Sequence, residues 1–443
     1  MKKRSIAGAL TLALVLSLCA VTVAAGEQPA QTTETAETAQ TLPDSPAGPD
    51  AQTEAQAGAT AADALDVLLQ QDAVGTVSFA NVERRMRGNN LTILTLDQTI
   101  ETLKDIDYEK MEKDLRDAVN GIASSQFATI QMSGFEPMGS SLVLSSLQQQ
   151  YDALKEQFDA VRKGELQEDN EGLIRQLKNG QDQVVLAGEA TYLALVELET
   201  QEGALERQLA ALNRTVEELE LRYQLGQISA LQLQQAKSGR TQLASGLETL
   251  RMNLRNLKLQ FEVLLGAEQT GNIQPGSVPE VTEQELSAMD VEKDLLAAKE
   301  KSYDLYDAAK KLEDAQEEYK DAVKEHNANE NKPEFRAAKR TWQAAQYTYS
   351  DAVQSYELKF RTLYAQVQDY KQISDAAKVA LACEQASCEA AELKYQQGTI
   401  SQNALLDARD SLQTAKEKAS SAASDLFSSY NTYRWAVEHG VLN

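Results

Sequence analysis

The chain is 443 residues long, carries a formal charge of -24 and contains 22 glycines, 8 prolines and only 2 histidines. Alanine, leucine, glutamine, glutamate and lysine fill its long middle, a balance that favours extended helices over compact mixed sheet. A field this negative repels nucleic acid and anionic membrane surfaces, which sets aside a nucleic-acid partner.

The first segment has the three parts of a secretory signal: basic Lys2, Lys3 and Arg4, an apolar run over residues 6–23, and Val23 and Ala25 ahead of Gly26. Residues 1–25 therefore predict export, with cleavage after Ala25 favoured over an uncleaved anchor. Cys19 sits as in a lipoprotein signal behind Leu16 and Ser17, but Leu18 stands where a small residue is wanted. Residues 26–62 hold no aromatic and no basic side chain and predict a disordered acidic linker.

Residues 63–266 predict an N-terminal part and a first helical repeat. Residues 81–94 read as a short helix broken at Gly88, Asn89 and Asn90, and Asn90-Leu-Thr92 matches a glycosylation sequon of the kind that occurs often by chance. Asp97 suits the N-cap of a helix running to about Val119. Residues 121–144 mix an apolar stretch at 127–132 with Gly134, Pro137 and Gly139, and read as a small hairpin or an ordered loop. A helix over about 142–162 follows, then a polar break at 164–170.

Beyond the break, Leu205, Leu209, Leu212, Val216, Leu219 and Tyr223 step by four and three. Gly226 interrupts, and Leu243, Leu247, Leu250, Leu254, Leu257, Phe261 and Leu264 resume the seam as far as Gly266. Spacing that averages 3.5 keeps one face against a partner and predicts a left-handed antiparallel hairpin. Gly271, Pro275, Gly276 and Pro279 mark residues 267–285 as a linker. Residues 286–443 repeat the scheme. A helix over about 289–324 and a break at 326–333 precede a long helix with Tyr349, Val353, Tyr356, Phe360, Leu363, Val367 and Tyr370. Its return arm carries Leu405, Ala408, Leu412, Ala415, Ala419, Ala422 and Leu426. Arms on the order of 50 residues would reach roughly 75 Å. So long a hairpin leaves part of its stripe wet, which predicts lateral packing within the chain and between chains.

Little in the chain suggests chemistry. Cys383 and Cys388 fall about 140° apart on a helix and read as small apolar fillers rather than a disulfide. His326 and His439 stand alone, with no nucleophile beside a base and no phosphate-cradling glycine loop. The expectation is no enzyme, no metal and no cofactor.

One passage occurs twice. Leu221, Tyr223, Gly226, Ile228 and Ser229 return as Leu393, Tyr395, Gly398, Ile400 and Ser401, 172 positions on, and the register holds to Ala236 and Ala408. Each glycine supplies the positive φ of a hairpin tip and each serine an N-cap. Ile228 and Ile400 are apolar residues at turns, where a partner surface would cover them. The doubled tip, with Asn253 and Gly266 in one copy and Asp425 and Gly440 in the other, resembles the TolC-like outer-membrane efflux protein family over about residues 90–443.

The resemblance implies an all-α fold of duplicated long antiparallel coiled-coil hairpins, closed by a homotrimer into a hollow helical barrel. It also implies tips that dock a periplasmic adaptor protein of an efflux pump or ABC exporter. In the family two aspartates past the second tip narrow the channel. Here their places are taken by Ala404 and Asp407, so only Asp407 is a candidate constriction, and the first repeat has Gln232 and Gln235. Family members also cross the outer membrane with two strands per repeat, and a crossing strand needs about 9 to 11 alternating residues. The breaks at 164–170 and 326–333 are short and charged and fit no such strand. Two functions therefore stand: an exported efflux or secretion channel component of the outer membrane, or a cell-surface or extracellular envelope protein that keeps the hairpins without spanning a membrane.

Overall fold

The structure is a computed structural model that describes residues 72–73, 75–132 and 137–442. The signal, the acidic linker and Cys19 lie outside the described residues. Among the described residues eleven helices follow one another: α1 (Phe79–Asn89), α2 (Leu91–Lys104), α3 (Tyr108–Met132), α4 (Pro137–Lys163), α5 (Glu165–Gln224), α6 (Ala230–Leu264), α7 (Glu283–Ala288), α8 (Val291–Lys301), α9 (Tyr303–His326), α10 (Pro333–Gln396) and α11 (Gln402–His439). Two short strands, β1 (Thr76–Val77) and β2 (Gln274–Pro275), pair in parallel and tie the linker between repeats to the start of the first.

Two long antiparallel hairpins dominate, α5 with α6 and α10 with α11. At 60 and 64 residues, α5 and α10 extend roughly 90 and 96 Å. Val216, Leu247, Leu254 and Phe261 are buried along the first seam, and Phe360, Leu363 and Val367 along the second. Most other seam residues of the first hairpin are only half-buried. Two helices cannot enclose one stripe.

Each long helix is matched by two shorter ones laid end to end. α6 meets the start of α2 at Asn90, whose side chain accepts from the amides of Thr92 and Ile93 and donates to the Leu264 carbonyl at 2.8 Å. α11 meets the start of α9 in the same way. Ser302 caps α9, and a Cβ on Gly440 would come within 2.4 Å of the Lys301 and Ser302 backbone. The α1–α2 break at Asn90 and the α8–α9 break at Ser302 lie 212 positions apart, so the duplication reaches upstream of the tips.

Several expectations need correction. Asp97 is inside α2 rather than at its start, and its carboxylate accepts from the Gln181 side chain at 2.7 Å. The start belongs to Asn90, which is buried, so the sequon asparagine is committed to capping and packing. The break at 164–170 shrinks to Gly164 alone, at φ 80, because Glu165 and the residues after it already belong to α5. The helix expected over 289–324 is split at Ser302. Residues 121–132 and 137–144 are helical, as parts of α3 and α4, while 133–136 lie outside the described residues. The second break is a turn at 327–332 entered through Asn327 and Ala328, both at positive φ.

The core sits where the short helices meet the long ones. Phe79, Val82 and Met86 of α1 pack with Tyr192 and Leu195 of α5, Phe261 of α6 and Trp435 of α11. Gly188 permits this, since a Cβ there would lie 2.0 Å from the Met86 sulfur. A second cluster holds Leu295, Ala298, Tyr356, Phe360, Leu426 and Tyr433.

Candidate functional site: the paired tips

The two tips are superimposable in their hydrogen bonding. In the first, the amides of Leu225, Gly226 and Gln227 donate to the carbonyls of Leu221, Tyr223 and Arg222, with Gly226 at φ 71. In the second, Gln397, Gly398 and Thr399 donate to Leu393, Tyr395 and Lys394, with Gly398 at φ 69. Both close the preceding helix with a left-handed glycine, which returns its last carbonyls to hydrogen bonding. Ser229 then starts α6 with a full capping box with Gln232, while Ser401 starts α11 by accepting from the Ala404 amide at 3.2 Å. Alanine at 404 cannot return the second bond of a box.

Both tips lie at the same end of the described fold. Ion pairs Arg214–Asp410 at 2.6 Å and Arg207–Glu417 join α5 to α11, and higher up Ser421 donates to Glu197 and Asn431 to Glu189. As α5 numbers rise α11 numbers fall, so these helices run antiparallel and Gly226 stands level with Gly398. The helix order across the array is α6, α5, α11, α10.

Of the apolar tip residues expected to meet a partner, Tyr223 and Tyr395 are exposed and the two isoleucines are not. Ile228 and Ile400 are half-buried. Leu221, Tyr223, Leu225 and Leu231 face solvent at the first tip, Leu393 and Tyr395 at the second. Leu225 and Leu231 correspond to Gln397 and Asn403, so the first tip is the more apolar. Helical spacing could have shown this, because Leu225 and Leu231 fall outside the stepped seam. Lys237 bridges Glu220 at 2.7 Å beside the first tip and holds that carboxyl below its ordinary value. Asp407 is exposed on the first turns of α11, and its carbonyl accepts from the Ser411 hydroxyl.

The two outer helices carry a second pattern. On α10, Leu358, Ala365, Gln372, Val379, Ala386 and Leu393 recur every seventh residue and are all exposed. On α6, Leu231, Ser238, Ser245 and Met252 do the same. Helical spacing sets each row roughly 160–200° around its helix from the seam residues, and Leu358 and Ser245 also border grooves shared with the other helix of their hairpin.

No protein-family model matches the chain, and no curated protein matches it. Solved structures similar to it include outer-membrane channels and an outer-membrane protein. OprN is 12% identical, with 82% of this chain and 90% of that one covered at a TM-score of 0.49. VceC from Vibrio cholerae is 12% identical over 82% and 95% at 0.42, and MtrE of Neisseria gonorrhoeae 14% identical over 82% and 89% at 0.43. At such scores the likeness carries no weight on what the chain does, which must come from its own tips and edges.

Proposed function

We propose that the chain is an exported TolC-like channel component of the cell envelope, in which three copies close head to tail into a helical conduit and the tips receive an adaptor-type hairpin of an efflux or secretion machine. The observation that carries it is the pair of exposed seven-residue rows. Measured from the tips, Leu231 and Leu393 are both five positions away, Ser238 and Ala386 twelve, and Ser245 and Val379 nineteen. With both tips at one end, α6 of one copy and α10 of the next bring small and apolar residues to equal heights. A heterologous contact of this kind closes into a ring when its rotation allows. Alanine and serine at the rows permit close axes, and a leucine pair lies nearest the tips.

The test combines light scattering with disulfide trapping between Ser245→Cys and Val379→Cys in a background without native cysteines. A trimer that links into covalent dimers and trimers supports the ring. A monomer at all concentrations, with no trapping, would sink it. A second function, a hairpin protein of the envelope that forms no channel, is favoured by the end opposite the tips. There the chain has the turn at 327–332 in one repeat and helices α3 and α4 in the other. Channel conductance after reconstitution separates the two.

A further inference from the structure

We infer that the hairpin α3–α4 is a lipid-binding element that lays the uncharged stretches of its two arms against a membrane surface from one side. The hairpin packs on itself and meets the rest of the fold at its base, through Gly164 and the Asn170 side chain that donates to the Tyr108 hydroxyl at 2.8 Å. That base is at the start of α5, the end remote from Gly226. Along its length the hairpin divides sharply. Near the base its outer faces carry Lys110, Lys113, Asp114, Arg116 and Asp117 on one arm, with Asp152, Lys155, Glu156, Asp159 and Arg162 on the other. From residue 118 to residue 151 the only charge is Glu136, in a chain that is 25% charged overall.

What replaces charge is suited to lipid. Ile122, Leu144 and Leu147 lie along the seam between the arms and are half-buried. Outside that seam Phe127 is 63% exposed, Leu142 75% and Val143 50%, so these side chains are surplus to the packing of the hairpin. The polar residues between them bond within the hairpin. The hydroxyls of Ser124, Ser125 and Thr129 donate to the carbonyls of Asn120, Gly121 and Ser125 one turn back, Ser145 donates to Leu142, and Gln126 donates to Gln148 across the arms. Back-bonded hydroxyls tolerate a low dielectric because their donor needs no water. Tyr151, with Lys155 over its ring, stands at the boundary where charge resumes, the place of an interfacial aromatic.

The length also fits. Each uncharged arm is about 15 residues and so about 22 Å, less than the roughly 30 Å of a hydrocarbon core. Among the described residues no helix is long and apolar enough to cross a membrane, in keeping with a hairpin that stays on one side. The strongly acidic remainder favours a zwitterionic over an anionic surface.

The experiment places an environment-sensitive fluorophore on single cysteines at Phe127, Val143, Lys113 and Glu330 of the full chain, in a background without native cysteines, and adds phosphatidylcholine vesicles. Expected are a blue shift and quenching by brominated lipid at 127 and 143 but not at 113 or 330, weakened when phosphatidylglycerol is included. The pair Leu142→Lys and Ser124→Glu, with helicity unchanged by circular dichroism, should remove the shift at 127 at least tenfold in lipid concentration. An unshifted 127 and 143 in excess lipid overturns the inference. So does a shift that depends on protein concentration without vesicles, which would assign the surface to a second copy. Neither outcome bears on disulfide trapping of the α6 and α10 rows, so ring closure stands or falls separately.

Discussion

Two buried glutamates show how one residue type serves opposite electrostatic ends. Glu189 on α5 is 2% exposed and accepts from the Asn431 amide at 2.6 Å and the Trp435 indole at 2.7 Å, joining the two repeats. Burial pushes its carboxyl above the ordinary 4.5, against the pull of those two donors. Glu262 near the end of α6 is equally buried, but Gly271, Asn272 and Ile273 amides and the Thr270 hydroxyl all donate to it. These bonds outweigh burial and hold its carboxyl below 4.5. The signs follow by linkage. Glu189 binds its proton more tightly folded than unfolded, so its contribution is full below 4.5 and is lost as pH rises through the raised value. Glu262 contributes above 4.5 and loses that as pH falls through its lowered value. Glu189→Gln should therefore cost about 1 kcal/mol or less at pH 7 and flatten the pH dependence of the urea midpoint above 4.5. Glu189→Ala or Glu262→Ala should cost about 2–4 kcal/mol, since each leaves buried donors unpaired. Neither glutamate is legible in the sequence: α5 is rich in glutamate and nothing local separates Glu189 from its solvated neighbours, and the donors that hold Glu262 come from the linker beyond the end of α6.

Four left-handed glycines end the helices of the hairpins, and they divide by surroundings. Gly226 and Gly398 have open space where a Cβ would go, whereas a Cβ on Gly266 would lie 2.3 Å from the Asn89 carbonyl oxygen and one on Gly440 2.4 Å from the Lys301 backbone. Alanine at a tip should cost only the left-handed penalty, about 1–2 kcal/mol. It should show as faster amide exchange near residue 226 or 398 with little change in the urea midpoint. Alanine at Gly266 or Gly440 adds overpacking, about 1–3 kcal/mol more, and should lower the midpoint of the whole fold. An equal effect at all four positions would contradict this division. The tips and hairpin arms are legible because glycine, serine and the stepped leucines act locally. The break at Asn90 is legible in Gly88, Asn89 and Asn90, whereas the one at Ser302 is not, because no glycine or proline stands near it. What stops each helix there is the neighbouring helix end, a contact made across the fold.

At the scale of the molecule, the sequence pattern holds two superposed heptads, and the stronger conceals the weaker. Phe360, Leu363 and Val367 mark the hairpin seam of α10 so plainly that the row from Leu358 to Leu393, with its alanines and a glutamine, reads as solvated surface until the helix is seen to lack a neighbour on that side. That row and its counterpart on α6 give a test in charge rather than in crosslinks. Val379→Glu with Ala386→Glu puts two carboxylates on α10, with the α6 row of the next copy as the proposed neighbour. Like charges and desolvation should then reduce association at least tenfold, measured by light scattering, while helicity stays unchanged because both positions are exposed in the single chain. Adding Ser238→Lys and Ser245→Lys, which stand at the same distances from their tip, should restore association in low salt and lose it again as salt rises. Rescue by lysines on α6 but not by lysines at Gln413 and Ser420 of α11 would tie the contact to the outer edges. Rescue at neither place, with association unaffected by the glutamates, would leave the edges free and remove the ring from the proposed function.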